Sequence, residues 1–190
     1  MRNHAIFLDR DGTINEEVHH LSHVDQLQLL PSVGEAIKQL NAASFKVVVI
    51  TNQSVVARGI ISQEELGDIH KTMKKQLKSQ GAHVDAVYFC PHHPTAGVGA
   101  FGITCDCRKP QPGMLLQASA DLNITLENSF MIGDTYNDLA AGHAAGCRTI
   151  LVRTGYGTKT ERQLDGRSFQ PDYIASDLLE AAQWIIHLEG

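Results

Sequence analysis

The stretch AIFLDRDGT, residues 5–13, decides the fold, because four apolar residues are followed at once by two aspartates, a glycine and a threonine. An apolar run without polar alternation is typical of a strand buried on both faces, as in a parallel sheet. Open parallel sheets bind ligands beyond the carboxyl ends of their strands. On extended backbone, Asp9 and Asp11 share one side and face one pocket. Paired carboxylates there predict Mg²⁺, and an Asx-turn leaving the strand is the alternative.

The rest of the chain alternates short apolar runs with amphipathic segments. The further strands that this pattern predicts span residues 46–50, 84–89, 130–132, 149–152 and 171–174. Helices are predicted between them, two of which begin at Ser32 and Ser62, each with a glutamate three residues later as in a capping box. This alternation predicts an α/β fold, a Rossmann-like doubly wound parallel sheet with right-handed crossovers. We predict a single domain over residues 1–190, with long loops at 15–31 and 90–113.

Composition limits the classes of function. The 190 residues are 43% hydrophobic and 19% charged, which excludes a disordered chain. The apolar runs are far shorter than the roughly 20 residues of a membrane span, and the first residues lead into a strand without a signal sequence. The net charge is −5, and no basic face for nucleic-acid phosphates is visible. We therefore predict a cytoplasmic protein that has neither nucleic acid nor membrane as a partner.

Polar residues also follow the second and fourth predicted strands. Residues 51–54 read Thr-Asn-Gln-Ser, and Asp134 follows the fourth strand. A hydroxyl with exposed backbone amides can bind a phosphate, and Asp134 adds a carboxylate at the same edge of the sheet. Two cations, Arg108 and Lys109, precede a predicted helix. Taken alone, residues 51–54 are better explained by a turn, a helix cap is the alternative for Asp134, and the two cations indicate nothing.

The second long loop carries a cluster of metal-binding residue types. Its members are Cys90, His92, Cys105 and Cys107. Three thiols and an imidazole in two closely spaced pairs are a normal ligand set for tetrahedral structural zinc. We therefore predict a zinc loop over residues 90–107. Buried free cysteines and redox chemistry are the alternatives, although no C-x-x-C motif is present.

Taken together and in this order, the strand-end motifs resemble the four motifs of the haloacid dehalogenase superfamily of phosphatases. The resemblance covers most of the chain and rests on Asp9 and Asp11 in D-x-D-G-T, then Thr51, Lys109 and Asp134. It implies a sheet in the order 3-2-1-4-5, in which the first strand lies about 4.8 Å from each neighbour. No large cap insertion is visible, which favours a small soluble phosphate ester as substrate.

The resemblance also implies a role for each residue. Asp9 is the nucleophile, which forms an aspartyl-phosphate, and Asp11 is the general acid and base. Thr51 and Lys109 stabilise charge on the transferred phosphoryl group, and Asp138 orients the metal site. The implied Mg²⁺ ligands are Asp9, the backbone carbonyl of Asp11, and Asp134. The implied substrate-binding residues are Asn52, Gln53, Ser54, Arg108, Lys109, His19 and His20.

With the zinc loop included, the motifs resemble the family of D-glycero-D-manno-heptose 1,7-bisphosphate 7-phosphatases. That resemblance implies a monomer that removes the C7 phosphate of a sugar bisphosphate, with Mg²⁺ and Zn²⁺ bound. The histidinol-phosphate phosphatases share the zinc loop and are the alternative. A polynucleotide 3′-phosphatase and a non-catalytic zinc-binding module are further alternatives, and the negative charge and the lack of Lys or Arg in the zinc loop oppose them. The sequence departs from the heptose family at His19-His20, Val55-Val56 and Thr135, positions that border the substrate pocket in that family.

Overall fold

The computed structural model describes residues 3–189 and contains a six-stranded sheet in which every pair of neighbouring strands is parallel. In chain order the strands are β1 (Ala5–Leu8), β2 (Lys46–Asn52), β3 (Ala86–Cys90), β4 (Phe130–Gly133), β5 (Arg148–Val152) and β6 (Tyr173–Ala175). Their order across the sheet is β3-β2-β1-β4-β5-β6. The predicted α/β fold is confirmed, and β6 extends the expected order by one strand beyond β5.

Helices cover both faces of the sheet. They are α1 (Val33–Ala42), α2 (Ser54–Ala57), α3 (Gln63–Ser79), α4 (Gly113–Leu122), α5 (Tyr136–Ala145), α6 (Gly157–Glu161) and α7 (Leu178–Glu189). Ile6 and Leu8 of β1 pack in the core beneath α1, α3 and α7, whereas Ala5 and Phe7 pack beneath α4 and α5. All four side chains are fully buried, which explains why β1 shows no polar alternation. Within residues 3–189, none of these helices combines the length and the hydropathy that crossing a membrane requires.

The structure confirms one of the two predicted capping boxes and contains two short helices that the sequence did not predict. Ser62 forms the predicted capping box of α3, accepting a hydrogen bond from the Glu65 N–H at 3.1 Å. The capping box predicted at Ser32 is wrong, because its φ of +62° lies in the left-handed region and its side chain makes no cap hydrogen bond. The sequence analysis did not predict α2 and α6, because a helix of four or five residues is too short to show helical periodicity.

The central position of β1 brings the polar strand ends together. Its last residue is in register with Val49 of β2 and Ile132 of β4. All three strands run in the same direction, so the residues that follow leave the sheet at one edge. Asp9, Thr51 and Asp134 therefore lie at the carboxyl edge of three adjacent strands.

Candidate active site

The carboxyl edge of β1 and β4 holds a buried cluster of charges. Lys109 Nζ lies 2.8 Å from Asp9 Oδ1 and 2.6 Å from Asp138 Oδ1, and it donates to the Ile50 carbonyl at 2.7 Å. Carboxylate oxygens of Asp9, Asp134 and Asp138 all lie within 4.8 Å of one another. One lysine cannot neutralise three ionised carboxylates, so the cluster favours the binding of protons or of a cation.

Asp134 is held so that one of its carboxylate oxygens has no partner. Its Oδ2 accepts the backbone N–H of Tyr156 at 2.7 Å, and its carbonyl accepts the Thr160 hydroxyl at 2.7 Å. Its Oδ1 is buried and makes no hydrogen bond within residues 3–189. Gly12, at φ +82°, passes so close that a Cβ there would overlap the Asp134 carboxylate. An unpaired buried oxygen among like charges fits a divalent cation with oxygen ligands, and Asp9 and Asp134 are placed to hold it.

Asp11 has a different set of partners. Its two oxygens accept hydrogen bonds from the Arg10 guanidinium at 2.8–3.1 Å. Asn15 donates to Oδ1 at 2.9 Å, and Gln53 donates to Oδ2 at 2.8 Å. Burial opposes ionisation of Asp11, but Arg10 and the two amides outweigh it, so the pKa of Asp11 lies below its usual value. The Asp11 carboxylate is not part of the three-carboxylate cluster, so any contribution of Asp11 to metal binding falls to its backbone carbonyl.

The polar segment after β2 forms one wall of the site. Asn52 exchanges two hydrogen bonds with the backbone of Lys109, donating to its carbonyl at 3.0 Å and accepting its N–H at 3.1 Å. The Thr51 hydroxyl accepts a hydrogen bond from Gln53 Nε2 at 2.8 Å. The pocket is lined by all four residues of this segment, Thr51, Asn52, Gln53 and Ser54. The segment therefore faces the pocket and also fixes the main chain that carries Lys109.

These side chains surround a cavity of about 180 Å³. His19, from the first long loop, lines its mouth together with Tyr156, and His19 Nδ1 lies 2.9 Å from Tyr156 Oη. No feature of the sequence indicated Tyr156. Neither His20 nor Arg108 lines this cavity. The Arg108 guanidinium instead donates to the His92 carbonyl at 3.0 Å, beside the zinc loop.

The residues of the predicted zinc loop form a compact cluster. The Sγ atoms of Cys90, Cys105 and Cys107 lie 3.2–3.5 Å apart. His92 Nδ1 lies 3.5 Å from Cys107 Sγ and 3.7 Å from Cys90 Sγ. Ligand atoms around a tetrahedral zinc, with Zn–S bonds of about 2.3 Å, are roughly 3.7 Å apart. The four side chains are therefore compatible with one zinc ion.

Asp138 takes a more direct part in the site than the sequence suggested. The sequence placed it behind the metal site, whereas in the structure it forms an ion pair with Lys109. Its other oxygen accepts hydrogen bonds from the Thr135 N–H at 2.9 Å and the Thr135 hydroxyl at 2.6 Å, which close a capping box at the start of α5. The T-x-x-D spacing indicates that cap. The pairing with Lys109 depends on two distant segments meeting, which the spacing does not show.

A parallel sheet whose central strand ends in a buried aspartate, with a lysine and two more carboxylates beside it, defines a hydrolase of the haloacid dehalogenase class. A family model described as HAD-hydrolase-like matches residues 106–181. The chain is 45% identical over 187 residues to the D-glycero-beta-D-manno-heptose-1,7-bisphosphate 7-phosphatase of Pasteurella multocida, covering 98% of each chain. The chain belongs to this family of heptose bisphosphate phosphatases, and the predicted resemblance is confirmed.

Two further comparisons agree. The chain is 42% identical over 152 residues to the enzyme of the same name from Escherichia coli K12, covering 80% of each. Among solved structures it is similar to a D,D-heptose 1,7-bisphosphate phosphatase from B. bronchiseptica, described as complexed with magnesium and phosphate. That similarity has a TM-score of 0.88 and 35% identity, and it covers 97% of this chain and 99% of the other.

The charge cluster predicts how stability depends on pH and on Mg²⁺. Burial raises the pKa of Asp9 to about 7 although Lys109 opposes the shift, and burial with Asp138 and Asp9 raises the pKa of Asp134 to about 8. Between about pH 4 and pH 8 the folded protein therefore holds protons that the unfolded chain has released. Each such proton makes the free energy of unfolding fall by about 1.4 kcal/mol per pH unit as the pH rises. In protein dialysed free of Mg²⁺, urea unfolding should show lower stability at pH 8 than at pH 5.

Two comparisons test the origin of this slope. Millimolar Mg²⁺ should restore stability at pH 8, because a cation that binds only the folded state stabilises it. Asp134→Asn removes one of the titrating groups and should flatten the slope. Equal stability of the wild-type protein at pH 5 and pH 8 would show that Asp9 and Asp134 do not have the raised pKa values described above.

Proposed function

We propose that this chain is a Mg²⁺-dependent phosphatase that hydrolyses the C7 phosphate of D-glycero-D-manno-heptose 1,7-bisphosphate. The observation that carries the proposal is the buried Asp9 carboxylate, which follows the central strand, lies 2.8 Å from Lys109 Nζ and lines the cavity. The relatives described above supply the substrate, because their names specify heptose 1,7-bisphosphate.

The first half of the proposed reaction transfers the phosphoryl group to the protein. A carboxylate oxygen of Asp9 attacks phosphorus, and the bond between phosphorus and the sugar oxygen breaks. Asp11 gives a proton to the departing oxygen, so that the sugar leaves as a neutral alcohol. Lys109 and Thr51 donate hydrogen bonds to the non-bridging oxygens, where charge accumulates in the transition state. Mg²⁺, when bound, supplies positive charge that reduces the repulsion between Asp9 and the phosphate dianion.

The second half regenerates Asp9. Asp11, now ionised, accepts a proton from a water molecule whose oxygen attacks phosphorus. The acyl-phosphate bond breaks, which releases inorganic phosphate and the free carboxylate. The low pKa of Asp11 favours this base form, so the acid form used in the first half requires the negative charge of the bound phosphate to raise that pKa. The same carboxyl group thus acts as acid and then as base.

The zinc cluster supports the proposed compartment. Three cysteines whose sulfur atoms lie 3.2–3.5 Å apart must stay reduced in order to bind zinc, and a reducing compartment keeps them in that state. We therefore assign the protein to the cytoplasm, with Zn²⁺ in the loop. The family resemblance leads us to propose in addition that it is a monomer that acts on a small sugar phosphate.

A specificity panel tests the proposed substrate. The values of kcat/KM are compared for both anomers of heptose 1,7-bisphosphate, for histidinol phosphate and for fructose 1,6-bisphosphate. We expect a heptose bisphosphate anomer to be preferred by a factor of at least 10, since a site that matches one substrate's polar groups discriminates by that much or more. Faster turnover of histidinol phosphate would assign the chain to the alternative function.

The position of Arg108 outside the cavity also predicts a role for it. Because Arg108 does not line the cavity that holds Asp9 and Lys109, we expect it to contact the distal phosphate of a bisphosphate rather than the phosphate that is transferred. Arg108 precedes Lys109 and lies half-buried at the zinc loop, and a guanidinium suits a phosphate better than it suits the ammonium of histidinol phosphate. We expect Arg108→Ala to raise KM for the bisphosphate about tenfold, the loss of one charged hydrogen bond.

A simple aryl phosphate, which has no distal anion, provides the comparison. Its KM should change by less than about twofold in the same variant. Arg162→Ala removes an exposed arginine at the end of α6 and serves as the matched control. Equal increases in KM for both substrates would show that Arg108 does not contact the distal phosphate.

A further inference from the structure

Arg10 is a fully buried arginine in the middle of the D-x-D motif, with 0% of its surface exposed. A buried guanidinium is costly unless its N–H groups are paired. Its Nη2 and Nε bind the Asp11 carboxylate, as described above, and Nη2 also donates to Gln53 Oε1 at 3.0 Å. The remaining nitrogen, Nη1, lies 3.2 Å from Nε2 of His70. All three guanidinium nitrogens are thus engaged, and none of the steps above uses Arg10 or His70.

His70 can only be the acceptor in this pair. A guanidinium donates hydrogen bonds and has no acceptor, so Nε2 of His70 must carry the lone pair and the ring must be neutral. Burial, together with the charge of Arg10, lowers the pKa of His70 to about 3, which keeps the ring neutral at physiological pH. The ring is 7% exposed on α3, and its centroid lies 5.8 Å from that of Phe89 on β3. His70 therefore offers Arg10 a fixed acceptor from a rigid helix.

Gln53 closes the network on the side of the pocket. Its Oε1 accepts from Arg10, while its Nε2 donates to Asp11 Oδ2 at 2.8 Å and to the Thr51 hydroxyl at 2.8 Å. The side chain is 2% exposed and all its polar atoms are engaged inside the protein. The network therefore runs from His70 through Arg10 to Asp11, and through Gln53 to Thr51.

We propose that His70 is a positioning residue for the phosphatase reaction, which acts through Arg10 to hold Asp11 at the angle from which it protonates the leaving oxygen. This proposal rests on the proposed phosphatase function and extends it to a residue on α3, outside the pocket. Without an acceptor at position 70, one edge of the guanidinium loses its partner in a buried site. Arg10 can then shift, and the Asp11 carboxylate to which it is hydrogen-bonded shifts with it.

The chemistry of the leaving group provides a specific readout. An alkyl phosphate releases a sugar oxygen that must gain a proton from Asp11 as the bond to phosphorus breaks. Para-nitrophenyl phosphate releases a stabilised phenolate that needs no proton. Misplacement of Asp11 therefore slows transfer from the alkyl phosphate and leaves transfer from the aryl phosphate nearly unchanged. A loss of folded protein would lower both rates equally.

The experiment compares His70→Gln with His70→Leu in the full chain with Mg²⁺ present. Glutamine places an amide oxygen close to the position of Nε2, whereas leucine fills the buried site without an acceptor. For the sugar phosphate that the wild type hydrolyses best, we expect kcat/KM to fall about tenfold or more in His70→Leu, part of the factor of about 100 or more that general acid catalysis contributes. In His70→Gln the fall should be less than about threefold. With para-nitrophenyl phosphate, both variants should stay within about threefold of the wild type.

Matched variants keep the test decisive. Met73→Leu changes a buried side chain one turn further along α3 and should leave the ratio of the two kcat/KM values unchanged. If His70→Leu does not fold, His70→Asn replaces it, because its shorter amide does not reach the position of Nε2. Three outcomes would each overturn the proposal. They are equal losses of kcat/KM with both phosphates, equal kcat/KM values in His70→Gln and in the variant without an acceptor, and no loss of kcat/KM in either variant. Failure of the proposed function appears separately, in the wild type, as the absence of heptose bisphosphate turnover.

Discussion

Asp9→Asn should reduce kcat by a factor of about 1,000 or more, because it removes the nucleophile while keeping the size of the side chain. The Asp9 carboxylate forms the ion pair with Lys109 at 2.8 Å and belongs to the same carboxylate cluster as Asp134. An amide at this position cannot form the acyl-phosphate. Steady-state release of inorganic phosphate measures kcat, and acid quenching during turnover should trap labelled phosphoprotein in the wild type but none in the variant.

The same variant should still fold and bind substrate. Asp9 is one of several carboxylates in a buried cluster, and burial and like charges raise its pKa, so its neutralisation relieves repulsion within the folded protein. We therefore expect a melting temperature equal to or above that of the wild type, and a dissociation constant for substrate that is unchanged or smaller. Asp68→Asn, at an exposed position on α3, is the control for carboxylate removal. A variant that keeps more than a tenth of the wild-type kcat would refute the nucleophilic role of Asp9.

Much of the site could be predicted because its residues lie at or directly after the ends of predicted strands in the sequence. The run from Ala5 to Leu8 has no polar residue, which identifies a strand buried on both faces, and the next residue must then lie at the sheet edge. The order of the strands brings Asp9, Thr51 and Asp134 to neighbouring positions. Local sequence and a parallel topology are sufficient for that part of the prediction.

Contacts between distant segments could not be predicted in the same way. The two hydrogen bonds between Asn52 and the Lys109 backbone join residues 57 positions apart, and no local spacing encodes them. The same holds for the pairing of Lys109 with Asp138 and of Arg10 with His70. Arg10 is the clearest example, since an arginine in a strand-end motif is usually expected at the surface. Its burial becomes understandable only when its partners Gln53 and His70, on two other segments, are known.

The predicted zinc loop is connected to the candidate active site through the segment that carries Lys109. Its last cysteine, Cys107, precedes Lys109 by two residues, and Asn52 holds the Lys109 main chain from the other side. The loop and the end of β2 therefore hold the Lys109 main chain between them. This arrangement predicts that loss of zinc affects both stability and activity.

Cys107→Ser should abolish zinc binding and destabilise the protein by more than about 4 kcal/mol, a typical effect of losing a structural metal. For a chain of this size, about 2–4 °C is lost per kcal/mol, so the melting temperature should fall by about 10 °C. The activity should fall as well, because the segment that carries Lys109 is no longer held by the loop. Elemental analysis and calorimetry measure the zinc content and the melting temperature of the same preparation.

Cys147→Ser is the matched control, since Cys147 is a buried free cysteine outside the zinc cluster. This variant should keep its zinc and lose only the stability that belongs to one buried thiol. The contrast between the two serine variants separates the metal from the cost of placing a hydroxyl in the core. Wild-type stability in a Cys107→Ser protein without zinc would show that the cluster is not structural. If zinc, stability and activity are lost together in Cys107→Ser, while Cys147→Ser keeps its zinc and its activity, then the ion stabilises the loop and thereby positions Lys109 beside Asp9.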